Sequence, residues 1–445
     1  MSIRQLYLCS ALVCTLGYPS GGWAQIAPPV PVSATPSSPA DPVRLTAAAA
    51  AGLTLVQALA AARDNSDVAL ARHALAAARA DVLTADHAPA PVLSTKAASM
   101  DLQHGLGPGN VITRKRIDKS IGIDWTWERG NKRALRTLAA QRALDAAESD
   151  VQDMQTQQLQ AALSAYYDLL AAQERLRDTR EIEQAMIELD RVASLRLKAG
   201  DLSRQDAART RIEAERARSD SQQAELAREQ AGLALAQVTA RGPGLEACAC
   251  DWPARIDAPA LNGDLLAWAD ARPDVLAALA RVQSAQAGLD NAMALRKADV
   301  TVGASYDHYP GTSTRLLELR AQIPLQWGYR FDGEIGRAQA ELSAAQELLD
   351  KTRRLALLDL QSLQQQAASA AQRAAGYEGG ILPRAREVAQ SAELAYAKGA
   401  TSLTDLLDAR RTLRATTLEA LAARAEYAKA QGNWLLRTQP QRLLP

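Results

Sequence analysis

"IGIDWTWERGNKRALR", residues 121 to 136, changes period at its midpoint. Up to Trp127 the residues alternate, with Ile121, Ile123, Trp125 and Trp127 on one side and Asp124, Thr126 and Glu128 on the other. A period of two is that of a β-strand. From Asn131 onward small and apolar residues recur three and four apart, and no Gly or Pro appears until after Lys198. At about 1.5 Å of rise per residue, such a run spans on the order of 100 Å. That exceeds any ordinary globular helix and predicts a coiled-coil or helical-barrel rod.

The same switch from strand to rod occurs a second time. In "VTVGASYDHY", Val300, Val302, Ala304 and Tyr306 alternate with Thr301, Gly303, Ser305 and Asp307. In "LELRAQIPLQWG", Leu317, Leu319, Ala321, Ile323, Leu325 and Trp327 share one face, against Glu318, Arg320, Gln322 and Gln326. A second rod follows from Phe331 to Lys398, with Gly379, Gly380 and Pro383 in "GYEGGILPRA" expected to loosen or kink it. A fourth strand near Val92 to Leu102 alternates less clearly. The helix "NSDVALARHALAAARADVLTA" from Asn65 is echoed by "RPDVLAALARVQSAQAGLDNA" from Arg272, which completes a duplicated plan.

Each rod ends at a version of one turn. "LKAGDLSRQDAARTRIEA" from Leu197 and "AKGATSLTDLLDARRTLRA" from Ala397 keep glycine, serine and aspartate in step, with Gly200 and Gly399 separated by 199 residues. Glycine permits a tight reversal with positive φ. Return helices are predicted from Leu202 to Ala240 and from Ser402 to Leu436. On the second, Leu403, Leu406 and Leu407 form one stripe, while Asp405 and Asp408 lie three apart on another face. Capping by Ser402 or Thr401, with acids favoured near the helix start, accounts for these residues in structural terms. The first copy keeps Asp206 but has Arg209 where the second has Asp408.

A water-soluble sheet also shows period-two patterning. Three features favour lipid outside and water inside a barrel: an export address, Trp and Tyr near strand ends, and charge on the opposite face. Arg4, an apolar run from Leu6 to Leu16, and Gly22 and Ala24 before Gln25 read as a signal peptide of residues 1–24. Lipidation at Cys14 is disfavoured by the preceding Val13. Four strands cannot close a transmembrane barrel, so several chains must pool theirs. The hairpin loops, "HGLGPGN" from His104 and "YPGTST" from Tyr309, are expected to face outward.

Composition agrees with long, closely packed helices: Ala dominates the 47% hydrophobic fraction and there is one Phe. A net charge of +1, with Arg and Glu interspersed, excludes a basic patch and gives no reason to expect nucleic acid. Without Cys9 and Cys14 of the leader, Cys248 and Cys250 are the remaining thiols, a C-x-C pair short of a four-ligand zinc site and read as locally oxidised or idle. His73, His87, His104 and His308 are scattered, and neither a phosphate loop nor a G-x-S-x-G elbow occurs. No enzyme, cofactor or metal site is therefore expected.

The order signal peptide, helix, hairpin, rod, turn and return helix, repeated once, resembles the TolC family of outer-membrane efflux proteins over about residues 50 to 438. "WERGNKRALR" from Trp127, "IPLQWGYRFDGEIGRAQAEL" from Ile323 and "ILPRAREVAQSAELAYAKGATSLTDLLDA" from Ile381 are similar to segments of its heavy-metal-efflux branch. The resemblance implies a mostly α fold with membrane β: two long antiparallel helical hairpins, plus four strands that join a trimeric, 12-stranded outer-membrane barrel. It implies a homotrimer in the outer membrane of a Gram-negative cell, reaching through the periplasm to an adaptor (membrane fusion protein) and an inner-membrane RND pump. Heavy-metal cations are the expected cargo, with drug efflux, type I protein secretion or a periplasmic adaptor as alternatives. It also implies that Asp405 and Asp408 form acidic rings at the periplasmic entrance, with Asp206 and Arg209 as their non-equivalent counterparts. Gly200, Ser203, Gly399 and Ser402 are then the tips that meet the adaptor.

The corresponding division is a leader at 1–24, a Pro/Ser-rich tether at 25–50, repeats at 51–240 and 263–438, a linker at 241–262, and a tail at 439–445.

Overall fold

The computed structural model describes residues 52–100, 103–104, 117–256 and 263–443. The expected leader and tether, most of the loop that follows His104, and the end of the linker lie outside them. The first half runs α1 (Leu55–Ala62), α2 (Ser66–Ala85), β1 (Val92–Ala98), β2 (Asp118–Trp127), α3 (Lys132–Ala199) and α4 (Arg204–Thr239). The second runs α5 (Leu265–Asp270), α6 (Pro273–Ala294), β3 (Val300–Tyr309), β4 (Ser313–Gln322), α7 (Asp332–Gly376), α8 (Leu382–Ala397) and α9 (Leu403–Thr438).

The rod α3 is one helix of 68 residues. Its counterpart is broken between α7 and α8 by a π-helical turn, Tyr377–Ile381, at the Gly379-Gly380 pair. Two glycines lower the cost of widening the helix there, and Pro383 withholds the N–H that an α-helical ladder would use. Both rods start with a residue in the left-handed region, Asn131 and Phe331, each at φ 58°. Ion pairs at the foot of each rod tie it to the helix of the preceding layer: Arg133 to Asp86 at 3.0 Å in the first half, and Arg296 to Asp332 at 3.1 Å in the second.

The four strands form one antiparallel sheet in the order β1-β2-β3-β4. β4 corrects the sequence reading. The alternation continues to Trp327, but pairing stops at Gln322, opposite Thr301 near the start of β3. Pro324 then offers no N–H to continue the ladder. The short helices α1 and α5 have no counterpart in the sequence-based expectation.

The main core lies around the middle of α3. Leu163, Tyr166, Leu169 and Leu170 pack with Leu59 and Ala62 of α1, Leu235 of α4, and Trp252 of the linker, all buried. The linker is fastened to the same point. Leu53 N–H donates to Glu246 O at 2.7 Å, and Cys248 N–H donates to Leu53 O at 3.0 Å. The Tyr166 hydroxyl donates to Asp251, whose carboxylate also accepts from Leu55 N–H at 2.8 Å. Burial and the adjacent carboxylate push the Tyr166 phenol well above the ordinary tyrosine range, so it stays a donor. Its neighbour Tyr167 is pushed up to about 12, chiefly by burial. Cys248 and Cys250, in this same linker, are joined by a disulfide.

Candidate functional site

Two regions carry the features from which function can be argued: the sheet and the hairpin tips. In the sheet, register fixes which side chains share a face. Ile123 lies opposite Ala304, and Ala304 opposite Leu319; one step away Asp124 lies opposite Gly303, and Gly303 opposite Arg320. Because side chains alternate across a strand, one face collects Ile121, Ile123, Trp125, Val302, Tyr306, Leu317 and Leu319. Those side chains are exposed, Leu317 at 74% and Leu319 at 77%. A contiguous apolar surface of this kind marks contact with lipid or protein. The other face holds Ser94, Asp124, Thr126, Thr301, Ser305, Asp307, Glu318 and Arg320. Its groups bond to one another: Thr126 to Thr301 at 3.0 Å, Ser94 to Asp124 at 3.1 Å, and Asp124 to Arg320 at 2.6 Å. β2, β3 and β4 each have 10 residues, the length of a tilted strand that spans a bilayer. Among the described residues β1 and β4 each leave an edge open, which in lipid requires another strand.

The two tips share one local design. Gly200 at φ 85° and Gly399 at φ 75° end α3 and α8. In each, the next residue bonds back five positions: Asp201 N–H to Arg196 O at 2.9 Å, and Ala400 N–H to Ala395 O at 2.8 Å. Ser203 and Ser402 cap α4 and α9, accepting from the N–H of Asp206 at 3.0 Å and of Asp405 at 3.2 Å. The carboxylates of Asp206 and Asp405 turn back to accept from the same two hydroxyls, at 2.7 and 2.8 Å. Capping therefore occupies one oxygen of each. Asp408 is exposed one turn along α9, and Arg411 is close enough to feel its charge. Arg209 is 3.8 Å from Asp206 and donates to Thr404 at 3.0 Å, so its nearest acid lies on its own helix and its hydrogen bond crosses to the other hairpin.

The stripe Leu403, Leu406 and Leu407 is buried against Leu189, Leu202, Ala392 and Tyr396, which fixes the second tip against the first. Further ties follow. Arg196 donates to the Tyr396 hydroxyl at 3.2 Å with its guanidinium over the ring, and Arg411 pairs with Glu213 at 2.5 Å. The Arg411 and Arg216 guanidiniums hold the Glu213 carboxyl below the usual range, with the hydrogen bond from Arg411 as the largest cause. Nothing in the sequence pointed to Glu213, because its partner is 198 residues away.

Between α3, α8 and α9 lies a cavity of about 630 Å³ whose lining includes six arginines and six acids. Equal numbers give it no overall preference for either sign of charge. Among the described residues no group of three or more His, Cys, Asp or Glu could hold a metal ion. Among them also, no helix is long and apolar enough to cross a membrane.

Residues 268–433 match the family model described as "Outer membrane efflux protein". No curated protein sequence matches the chain. Among solved structures, a membrane protein from Pseudomonas aeruginosa superposes with TM-score 0.72 at 17% identity, covering 86% of this chain and 93% of its own. The CmeC outer membrane channel of Campylobacter jejuni gives 0.71 at 14% identity, with 86% and 85% covered. The outer membrane protein VceC of Vibrio cholerae gives 0.70 at 16% identity, with 86% and 95% covered. The chain thus has the fold of these solved outer-membrane proteins.

Proposed function

We propose that the chain is the outer-membrane exit channel of a tripartite efflux system. Three copies pool their strands into one 12-stranded barrel, and their helical hairpins continue the passage through the periplasm. The observation that carries this reading is the sheet: an exposed apolar face, an opposite face that is polar and ion-paired, and open edges on both sides. Three such sheets placed edge to edge satisfy the backbone and put the apolar faces toward lipid. The channel is passive, and an inner-membrane RND pump, reached through a periplasmic adaptor, supplies the energy. Heavy-metal cations are the cargo we favour, on the similarity of the rod and tip segments to that branch of the TolC family and on the acids at the tips.

Asp405 and Asp408 are proposed as the acidic ring at the periplasmic end, six carboxylates in a trimer of α9 starts, with Asp206 and Arg209 flanking them on the first hairpin. Such a ring attracts cations and repels anions. We assign the two acids different parts: Asp405 shares its charge with the cap, whereas Asp408 is exposed and takes no part in capping, so it is the proposed main contributor to the ring. Purified trimers in planar bilayers test the ring. Asp408→Asn should lower cation preference more than Asp405→Asn, and unchanged reversal potentials in both variants would dismiss it. The tips Gly200–Ser203 and Gly399–Ser402 are the proposed adaptor contacts. Cysteines at the exposed residues Asp201 and Ala400 leave the caps intact and should crosslink to the adaptor in cells.

A further inference from the structure

On the polar face of the sheet one ion pair skips a strand. Asp124 is on β2 and Arg320 on β4, yet a guanidinium nitrogen lies 2.6 Å from a carboxylate oxygen. Neighbouring strands are about 4.8 Å apart, so the two backbones stand on the order of 10 Å from each other with β3 between them. The residue of β3 in the same row is Gly303, opposite Asp124 on one side and Arg320 on the other. A Cβ at Gly303 would sit 2.1 Å from Asp124 Oδ1 and 3.3 Å from Arg320 Nη2. The carboxylate thus occupies the space a side chain would need. Its other oxygen accepts from Ser94 on β1 at 3.1 Å, diagonally, since Ser94 stands opposite Gly122 in the next row of the same face; the bonded set thus reaches all four strands. Glu318, 3.7 Å from Arg320, is the next acid along β4. Both partners remain open to the solvent side, Arg320 at 43% and Asp124 at 20%.

We propose that Ser94, Asp124, Gly303 and Arg320 form a belt across the sheet. Three copies of it ring the strand-built part of the passage, and the balance between its one carboxylate and its one guanidinium sets the ionic preference of that part. Asp124 and Arg320 act on passing ions directly, while Gly303 is a positioning residue whose missing side chain lets them meet. The ring rests on the trimeric reading given above; the bonded set across four strands within one chain does not.

The experiment has two arms, both on the full chain purified in detergent. In the first, thermal unfolding is followed for wild type, Gly303→Ala, Asp124→Ala and the double variant. Gly303→Ala should lower the midpoint by about 2 °C or more in wild type and by less than about 1 °C in the Asp124→Ala background, where the obstructing oxygen is gone. Equal costs in both backgrounds would overturn the role given to Gly303. In the second arm, reversal potentials are read in a salt gradient across planar bilayers. Arg320→Gln should shift preference toward cations, Asp124→Asn toward anions, and the exchange Asp124→Arg with Arg320→Asp should return it toward wild type. A conducting wild type whose reversal potential none of these moves would overturn the belt as a selectivity element. A wild type that folds but does not conduct would instead overturn the trimeric reading and with it the ring, leaving the row to be decided by the unfolding cycle.

Discussion

Leu319→Arg separates a membrane sheet from a water-soluble one. Leu319 shares a row with Ala304 and Ile123, near the middle of three strands of 10 residues each, and it is 77% exposed. On a sheet in water, an exposed Leu replaced by Arg changes stability by at most about 0.5 kcal/mol. On the lipid face at mid-depth, the same change costs about 2–4 kcal/mol per chain, and three chains raise it to about 6–12 kcal/mol per trimer. A cost of 2–4 kcal/mol alone is a factor of roughly 30 to 1,000 in the folded population. The control is Gln322→Arg, which stays on the face that already carries Arg320 and should cost less than about 0.5 kcal/mol. The assay is the amount of trimer extracted from outer-membrane fractions, judged by a band that shifts on boiling in detergent gels. Leu319→Arg should abolish that band and Gln322→Arg should keep it. Equal trimer yield from both variants would refute the assignment of faces.

Other perturbations test the parts of the account that hold the rods. Tyr166→Phe removes the donor to Asp251 at the linker anchor and should cost about 1.5–3 kcal/mol by chemical unfolding, because the lost bond is to a carboxylate in a buried setting. Glu213→Gln should cost about 1 kcal/mol, since the acid is buried but its partner Arg411 is half exposed. The lowered value of Glu213 means its contribution is complete above the ordinary glutamate value of 4.5 and is lost as pH falls through the native one. Wild type should therefore lose more stability on acidification than Glu213→Gln does. Ser402→Ala removes the cap of α9 and should cost about 1 kcal/mol, seen as faster amide exchange at Leu403–Asp405 with the rest of α9 unchanged.

What was legible in the sequence was periodicity. The change from alternation to three-and-four spacing after Trp127 exposes strand and rod, because a face that must be apolar leaves its period in the text. The fold class follows from two such switches and two glycine turns. The end of β4 was not legible, since alternation in Ile323, Leu325 and Trp327 continues after the partner strand has run out. The anchor at Tyr166, Asp251 and Leu55 was also hidden: its members are up to 196 residues apart, and the period of one helix does not say which other segment its face meets. The pair Asp124 and Arg320 has the same cause, with a separation of 196 residues, and only the register through Gly303 brings it together. At the tips the sequence suggested a choice between cap and ring for the acids. The side chains show that Asp405 caps, and that Asp408 has no such duty.

The central claim is that three chains make one conducting barrel, and the direct measurement is single-channel recording on material whose detergent-corrected mass has been determined by light scattering. The account predicts a protein mass of three chains of 47.6 kDa less any removed leader, and ohmic, salt-dependent conductance in planar bilayers from that same peak. A monomer that stays dispersed in water without detergent and passes no current would contradict it.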